Sequence, residues 1–106
     1  MQVNHTAILE TSAHRLFPGL SLDQVLAQLL LERAQRNLIK YQTMEREFKV
    51  KYQQDFMTFR QAILESEPAF DVEQDFFDWE LAVTGIGDMT QEIQQLRALM
   101  GNDERQ

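Results

Sequence analysis

The side chains most able to do chemistry in this 106-residue chain are its 17 acids, because cysteine is absent and only two histidines occur. Asp71, Glu73 and Asp75 have the spacing that opens a calcium-binding loop. Such a loop needs glycine at its sixth position and glutamate at its twelfth, and these positions hold Phe76 and Ala82. The three acids are therefore interpreted as a solvated helix N-terminus, where negative charge complements the helix dipole.

Other arrangements that could support catalysis or metal binding are not found in the sequence. His5 and His14 have no partner at metal-ligand spacing, and no serine has a base at motif spacing. Gly85 and Gly87 lack the further glycines and the Lys-Ser/Thr pair of a phosphate-binding loop. We therefore predict a protein that is not an enzyme and that needs neither a cofactor nor a metal.

Charge is divided unevenly along the chain. The formal net charge of −7 is the sum of +2 over residues 1–60 and −9 over residues 61–106. Between Arg60 and Arg97 there is no lysine, arginine or histidine, but there are nine acids and four aromatic residues. Such a stretch is typical of a surface that attracts a basic protein by charge and anchors it through aromatic side chains. The predicted partner-binding residues are Asp75, Phe76, Phe77, Asp78 and Glu80.

A second interpretation of the acidic stretch stays open. The acids could form a solvated face or pair with a basic stripe of the preceding helix, and Trp79 with one or two phenylalanines could belong to the core. That basic stripe consists of Arg33, Arg36 and Lys40. It could contact phosphate, but the small positive charge of residues 1–60 argues against nucleic acid as a partner.

In the long helix, three acids are each followed four residues later by a basic residue, a spacing that is typical of ordinary helix stabilisation. These pairs are Glu32–Arg36, Glu45–Lys49 and Glu47–Lys51.

The scarcity of helix breakers, with two prolines and four glycines, predicts an all-α protein. Weak alternation from Val3 to Leu9 favours a short strand or an extended arm, and Ser21 with Gln24 has the spacing of a capping box. We expect one helical domain. Its predicted parts are an N-terminal arm over 1–20, a long helix over 22–52, a short helix over 56–65 and a C-terminal helix over 72–100.

Heptad repeats predict how the two long helices meet. In the C-terminal helix the seam would consist of Trp79, Ala82, Ile86, Met89, Ile93, Leu96 and Met100. In the long helix, four seam residues recur every seven positions, namely Ala27, Ala34, Tyr41 and Phe48. Leu30 and Met44 are expected between them, and Asn37 and Lys51 interrupt the pattern. Gly85 and Gly87 are expected to mark a kink, a close helix crossing or a break.

The expected architecture is a long antiparallel helical hairpin with a short linking helix. A hairpin buries one seam per helix, so we expect the remaining apolar surface to form a dimeric helical bundle, with the protein as a homodimer. The predicted self-association residues are Leu22, Val25, Leu26, Leu29 and Leu30.

Residues Pro18-Gly19-Leu20-Ser21-Leu22-Asp23, which follow a short N-terminal arm and precede an acidic helical part, give the chain a family resemblance. It resembles the antitoxin components of bacterial toxin–antitoxin pairs, and its opening is similar to ribbon-helix-helix antitoxins over residues 2–36. The resemblance implies that the acidic half neutralises a basic toxin. We therefore expect a non-enzymatic, antitoxin-like protein-interaction module. The alternative is a structural dimeric helical adaptor within a larger assembly.

Location is predicted from the absence of targeting features. No apolar run exceeds three residues, far short of the roughly 20 residues that span a bilayer. The N-terminus has no basic region followed by an apolar stretch. A cytoplasmic protein without a membrane segment is expected.

Overall fold

The computed structural model describes residues 4–101, which form four α-helices. The helices are α1 (His5–Leu16), α2 (Leu22–Tyr52), α3 (Phe56–Leu64) and α4 (Phe70–Gly101). No strand occurs within residues 4–101, which confirms the all-α prediction. The sequence also predicts a polar tail over residues 102–106, which lie outside the described residues.

The N-terminal segment is a helix, so the predicted strand or extended arm is wrong from His5 onwards. Asn4 caps α1, because its side-chain oxygen accepts a hydrogen bond from the N–H of Ala7 at 3.0 Å. After Leu16, Gly19 adopts a φ of +88°, a conformation that favours glycine and turns the chain into α2. The described part of the opening therefore lacks the strand of a ribbon-helix-helix protein.

The start of α2 has the predicted capping box. The N–H of Gln24 donates to Ser21 Oγ at 3.2 Å, and the N–H of Ser21 donates to Gln24 Oε1 at 2.8 Å. These bonds satisfy two backbone donors that the helix itself leaves unpaired. α2 spans 31 residues and ends at Tyr52, and the following Gln53 caps it in the left-handed conformation.

α2 and α4 pack along most of their length and run in opposite directions. Near the end of α2, Phe48 stacks on Trp79, with ring centroids 5.6 Å apart. Further back, Tyr41 lies against Gly85, and the cluster around Leu31 includes Ile93. Residue numbers therefore fall along α4 as they rise along α2. We call the end near α3 the closed end, and the end at the start of α2 the open end.

The α4 side of this contact uses the residues of the predicted heptad seam, all of which are buried or half-buried. On α2 the prediction is only half right. The interleaved seam positions are 31, 38, 45 and 52 rather than 30, 37, 44 and 51, and Leu30 is 56% exposed. The observed α2 seam is Ala27, Leu31, Ala34, Leu38, Tyr41, Glu45, Phe48 and Tyr52.

Gly85 and Gly87 do not break α4, which is one continuous helix. Gly85 is buried where the two helices approach each other, and a Cβ atom there would lie 2.5 Å from the Tyr41 ring. Gly87 has no neighbour within 4 Å of that position. Of the three expectations for these glycines, close helix crossing therefore describes Gly85.

Candidate protein-binding surface on the last helix

An aromatic cluster fixes α3 and the start of α4 at the closed end. Trp79 is fully buried at its centre, and the rings of Phe56 and Phe59 lie 5.5 and 5.0 Å from it. Phe48 and Tyr52 of α2 complete the contact with Trp79. The interpretation that placed Trp79 in the core therefore holds, and the cluster joins the start of α4 to α2 and α3.

The two adjacent phenylalanines of α4 have different environments. Phe76 is 8% exposed and stacks on Phe56 at 5.8 Å, so it belongs to the core rather than to the predicted binding surface. Phe77 is 53% exposed, and its ring contacts Phe76 at 5.5 Å. The exposed ring of Phe77 thus packs with one edge against a buried ring and leaves the rest of its surface open to a partner.

Asp75 is occupied within the molecule. Its Oδ2 accepts hydrogen bonds from Lys51 Nζ and from the Tyr52 hydroxyl, each at 2.5 Å. The bond from Lys51, and then that from Tyr52, holds the pKa of Asp75 below its ordinary value. Burial, followed by the bond to Asp75, raises the pKa of Tyr52. Asp75 therefore joins α4 to the end of α2, and its charge is already compensated.

The remaining predicted acids of the surface differ in exposure. Glu80 is exposed, whereas Asp78 is half-buried and accepts a hydrogen bond from Gln74 Nε2 at 3.2 Å. Of the five predicted partner-binding residues, Phe77 and Glu80 are thus the two that are exposed.

The structure adds Phe70 and Leu81 to the exposed residues, at 75% and 55%. Phe70, Phe77 and Leu81 are spaced seven and four apart, so they lie on one face of α4, turned away from α2. Glu73 and Glu80, both exposed, flank that face. We call these five residues the α4 outer strip. The prediction named Phe76 and Phe77 but neither Phe70 nor Leu81, although the spacing of Phe70, Phe77 and Leu81 can be read from the sequence.

The basic stripe of α2 does not neutralise the acids of α4. Arg33, Arg36 and Lys40 are exposed, and within residues 4–101 the ion pairs are Glu45–Lys49 and Lys51–Asp75. Of the three predicted acid-first pairs, only Glu45–Lys49 forms, at 3.8 Å. Lys51 binds Asp75 instead of Glu47, and Glu32 accepts a hydrogen bond from Gln28. The acids of the α4 outer strip are therefore free to meet an external cation.

The predicted self-association residues divide into two groups. Val25 is buried on the side of α2 away from α4, where α1 contacts α2, and Leu22 is half-buried. Leu26, Leu29 and Leu30 are 51, 45 and 56% exposed. Leu26 and Leu30 also line a groove of about 600 Å³ at the open end, which is mostly apolar but includes Asp23 and Gln24 at its rim. The last three leucines are thus accessible to another molecule, whereas Val25 is not.

Within residues 4–101 we find no group of three or more His, Asp or Glu side chains placed to hold a metal ion. None of the four described helices has both the length and the apolarity needed to cross a membrane.

Comparison with protein-family models, with curated proteins and with solved structures finds no match to this chain.

Proposed function

We propose that the chain is a non-enzymatic protein-interaction module whose α4 outer strip binds a basic protein. The observation that carries this proposal is the exposure of Phe70, Phe77 and Leu81 beside uncompensated carboxylates. No lysine, arginine or histidine lies between Arg60 and Arg97, so no basic residue of that stretch reduces the attraction of a cationic partner.

Each part of the strip has its own role in this proposal. The carboxylates of Glu73 and Glu80 would steer a basic partner during encounter, a contribution that falls as salt rises. Phe77 would supply the anchor, because the open part of a large ring buries apolar surface on binding. An antitoxin-like role, in which this partner is a basic toxin, is the form of the proposal that the sequence resemblance implies.

Affinity capture with matched charge variants tests the proposal. The immobilised chain is mixed with a lysate of its source cells, and captured proteins are identified and quantified by mass spectrometry. The charge reversal Glu73→Lys/Glu80→Lys is compared with Glu10→Lys/Glu47→Lys. Both pairs consist of exposed acids and change the net charge equally. We expect a basic protein to be retained by the wild type and the second pair, and lost at least about tenfold with the first.

A second pair of variants tests the anchor. Phe77→Ser should reduce capture of the same protein, while Met57→Ser, which alters a 66% exposed residue of α3, should not. Equal capture by all variants, or the absence of any basic protein, would contradict the proposal.

The alternative function is a structural dimeric helical adaptor. It is favoured by the shape of the chain, which measures 61 × 44 × 19 Å and has a radius of gyration of 20.3 Å. A compact domain of this length has a radius of gyration of about 13 Å. An elongated protein that presents long helices suits a scaffold role. That role predicts a stable oligomer in dilute solution with no basic partner present.

A further inference from the structure

The chain exposes more surface than a folded monomer of its size. Its accessible surface is 8119 Å², whereas a compact monomer of 12.5 kDa exposes about 6,200 Å². The surplus of about 1,900 Å² exceeds the roughly 800 Å² that each partner buries in a stable complex. Part of this surplus belongs to α1, which has no buried residue, but the total is large enough to include a full protein interface.

The layer formed by α2 and α4 has two broad sides, and one of them is apolar at the open end. There, Leu26 and Leu30 of α2 and Leu96 and Leu99 of α4 line a common groove. Leu30 and Leu99 are 56 and 67% exposed. We call this the leucine side. At about 100° per residue, it continues along α2 through Arg33, Lys40 and Met44, and along α4 through Glu92, Met89 and Leu81.

The opposite broad side is polar. By the same helical geometry it presents Gln28, Gln35 and Gln42 of α2, spaced seven apart. On α4 it presents Glu80, Gly87 and Gln94, also spaced seven apart. α3 already packs against part of this side, since the aromatic cluster that holds it includes Phe76 and Val83. Of the two broad sides of the α2–α4 layer, the leucine side is therefore the one that offers apolar surface to a further layer of helices.

We propose that a second copy of this chain covers the leucine side and completes a four-helix bundle, with α2 of each copy lying over α4 of the other. This inference goes beyond binding of a basic protein, because it rests on the leucines of the open end, and Leu81 is the residue that the leucine side shares with the α4 outer strip. It also gives the alternative adaptor function a specific interface.

The charges on the leucine side determine the orientation of the second copy. A two-fold axis parallel to the helices does not shift the two copies along the helix direction. Each residue of one copy therefore lies at the same height as the equivalent residue of the other copy. This axis places the leucines of one open end on the leucines of the other. The observed helix pairing puts Arg33 near the level of Ile93, and Lys40 near that of Gly85. Arg33 then faces Glu92 of the second copy, and Lys40 faces Asp88.

The reverse orientation is disfavoured by charge. An axis perpendicular to the helices would lay α2 on α2 and α4 on α4. It would bring the basic stripe of each copy against the other and the acids of α4 against acids, and like charges repel across an interface. Within residues 4–101, none of the four charges Arg33, Lys40, Asp88 and Glu92 has an ion-pair partner of its own. All four are therefore available to the second copy.

Sedimentation equilibrium of the full chain over a range of concentrations tests the apolar contact. We expect a dimer for the wild type, and at least about a 100-fold weaker dimer for Leu30→Gln/Leu99→Gln. The matched control is Ile39→Gln/Val50→Gln, which alters two residues of similar exposure, 62 and 65%, away from the leucine side. Circular dichroism checks that each variant keeps its helix content. A monomeric wild type, or equal weakening by both pairs, would overturn the proposal.

A charge exchange tests the orientation. Arg33→Glu should weaken the dimer, because it places two acids opposite each other. The double variant Arg33→Glu/Glu92→Lys should restore the dimer, because opposite charges again face each other, and the two-fold axis makes this pair occur twice. Failure of the double variant to restore association would overturn the proposed orientation. The α4 outer strip is unchanged in these variants. A chain that stays monomeric but still captures a basic protein would therefore overturn this inference while leaving the proposed function intact.

Discussion

At the scale of single residues, Gly85 determines how closely α2 and α4 approach each other. The absence of a side chain lets the Tyr41 ring lie directly against the α4 backbone. A Cβ atom at this position would lie only 2.5 Å from the ring. Glycine in the interior of a helix costs about 1 kcal/mol relative to alanine. Its use at Gly85 therefore trades intrinsic helix stability for close packing, whereas Gly87 gains no such contact.

Substitution by alanine should change the free energy of unfolding in opposite directions at Gly85 and at Gly87. Gly85→Ala should lower the free energy of unfolding by about 1–2 kcal/mol, because overpacking against Tyr41 outweighs the better helix propensity. Gly87→Ala should raise it by about 1 kcal/mol, because the added methyl group meets nothing within 4 Å. Urea unfolding followed by circular dichroism at one protein concentration measures both. Stabilisation by both substitutions would show that Tyr41 does not limit the crossing.

Asp75 gives a prediction for the acid limb of stability. Its pKa in the folded chain is lowered, chiefly by the hydrogen bond from Lys51. Its stabilising contribution is therefore present above the unfolded-state pKa of about 3.9 and is lost as the pH falls through the lower, folded-state pKa. Asp75→Asn should thus be less stable than the wild type at pH 6, and this difference should shrink below about pH 4.

Unfolding measured in urea from pH 2 to pH 7 tests this expectation. Lys51→Met serves as the companion variant, since removal of the donor should flatten the same acid limb. If the Asp75→Asn profile ran parallel to that of the wild type over the whole range, the Lys51–Asp75 pair would not account for the acid sensitivity.

At the scale of helices, the start of α2 was predictable from a strong local signal, whereas α1 and the register of the α2 seam were not. Ser21 and Gln24 carry a local capping signal, and α2 begins where that signal placed it. The segment after Asn4 alternates only weakly between apolar and polar residues. It forms a helix, which begins at the Asn4 cap and is held by hydrogen bonds within the helix. The prediction placed every second position of the α2 seam one residue too early. Leu29, Leu30 and Leu31 are equally apolar, so the sequence did not show that Leu31 is the one that faces α4.

The candidate surface could be predicted only in part, because contacts with residues distant in sequence decide which of its side chains are exposed. Composition identified the acidic and aromatic stretch, and Phe77 and Glu80 are exposed within it. Which of Phe76 and Phe77 faces inward is decided by α3, whose Phe56 stacks on Phe76. Asp75 is removed from the surface by Lys51 and Tyr52, more than twenty residues away in sequence. Spacing within one helix cannot reveal either contact.

The capping box makes a prediction about α2 as a whole. Ser21→Ala should lower the free energy of unfolding by about 1 kcal/mol, because the N–H of Gln24 loses its acceptor at the start of a 31-residue helix. Ser12→Ala, in the interior of α1, is the matched control and should be neutral or slightly stabilising. Chemical denaturation measures both. Equal effects of the two substitutions would mean that the cap contributes nothing specific.

At the scale of the whole molecule, two long helices that share one seam cannot bury the apolar residues on their remaining faces. Folding alone leaves Leu26, Leu29 and Leu30 about half exposed, and the surplus surface is large for a chain of this mass. Stability should then depend on association, since a dimer that forms only from folded chains draws the folding equilibrium toward the native state.

This coupling predicts that the midpoint of thermal unfolding rises with protein concentration. For a dimer of two 106-residue chains, a tenfold increase should raise the midpoint by roughly 3 °C, from the average unfolding entropy per residue. Differential scanning calorimetry from about 5 to 500 µM measures the slope. Leu30→Gln/Leu99→Gln should lose it, and Ile39→Gln/Val50→Gln should keep it. A midpoint independent of concentration in the wild type would mean that the chain folds alone and that its exposed leucines serve another partner.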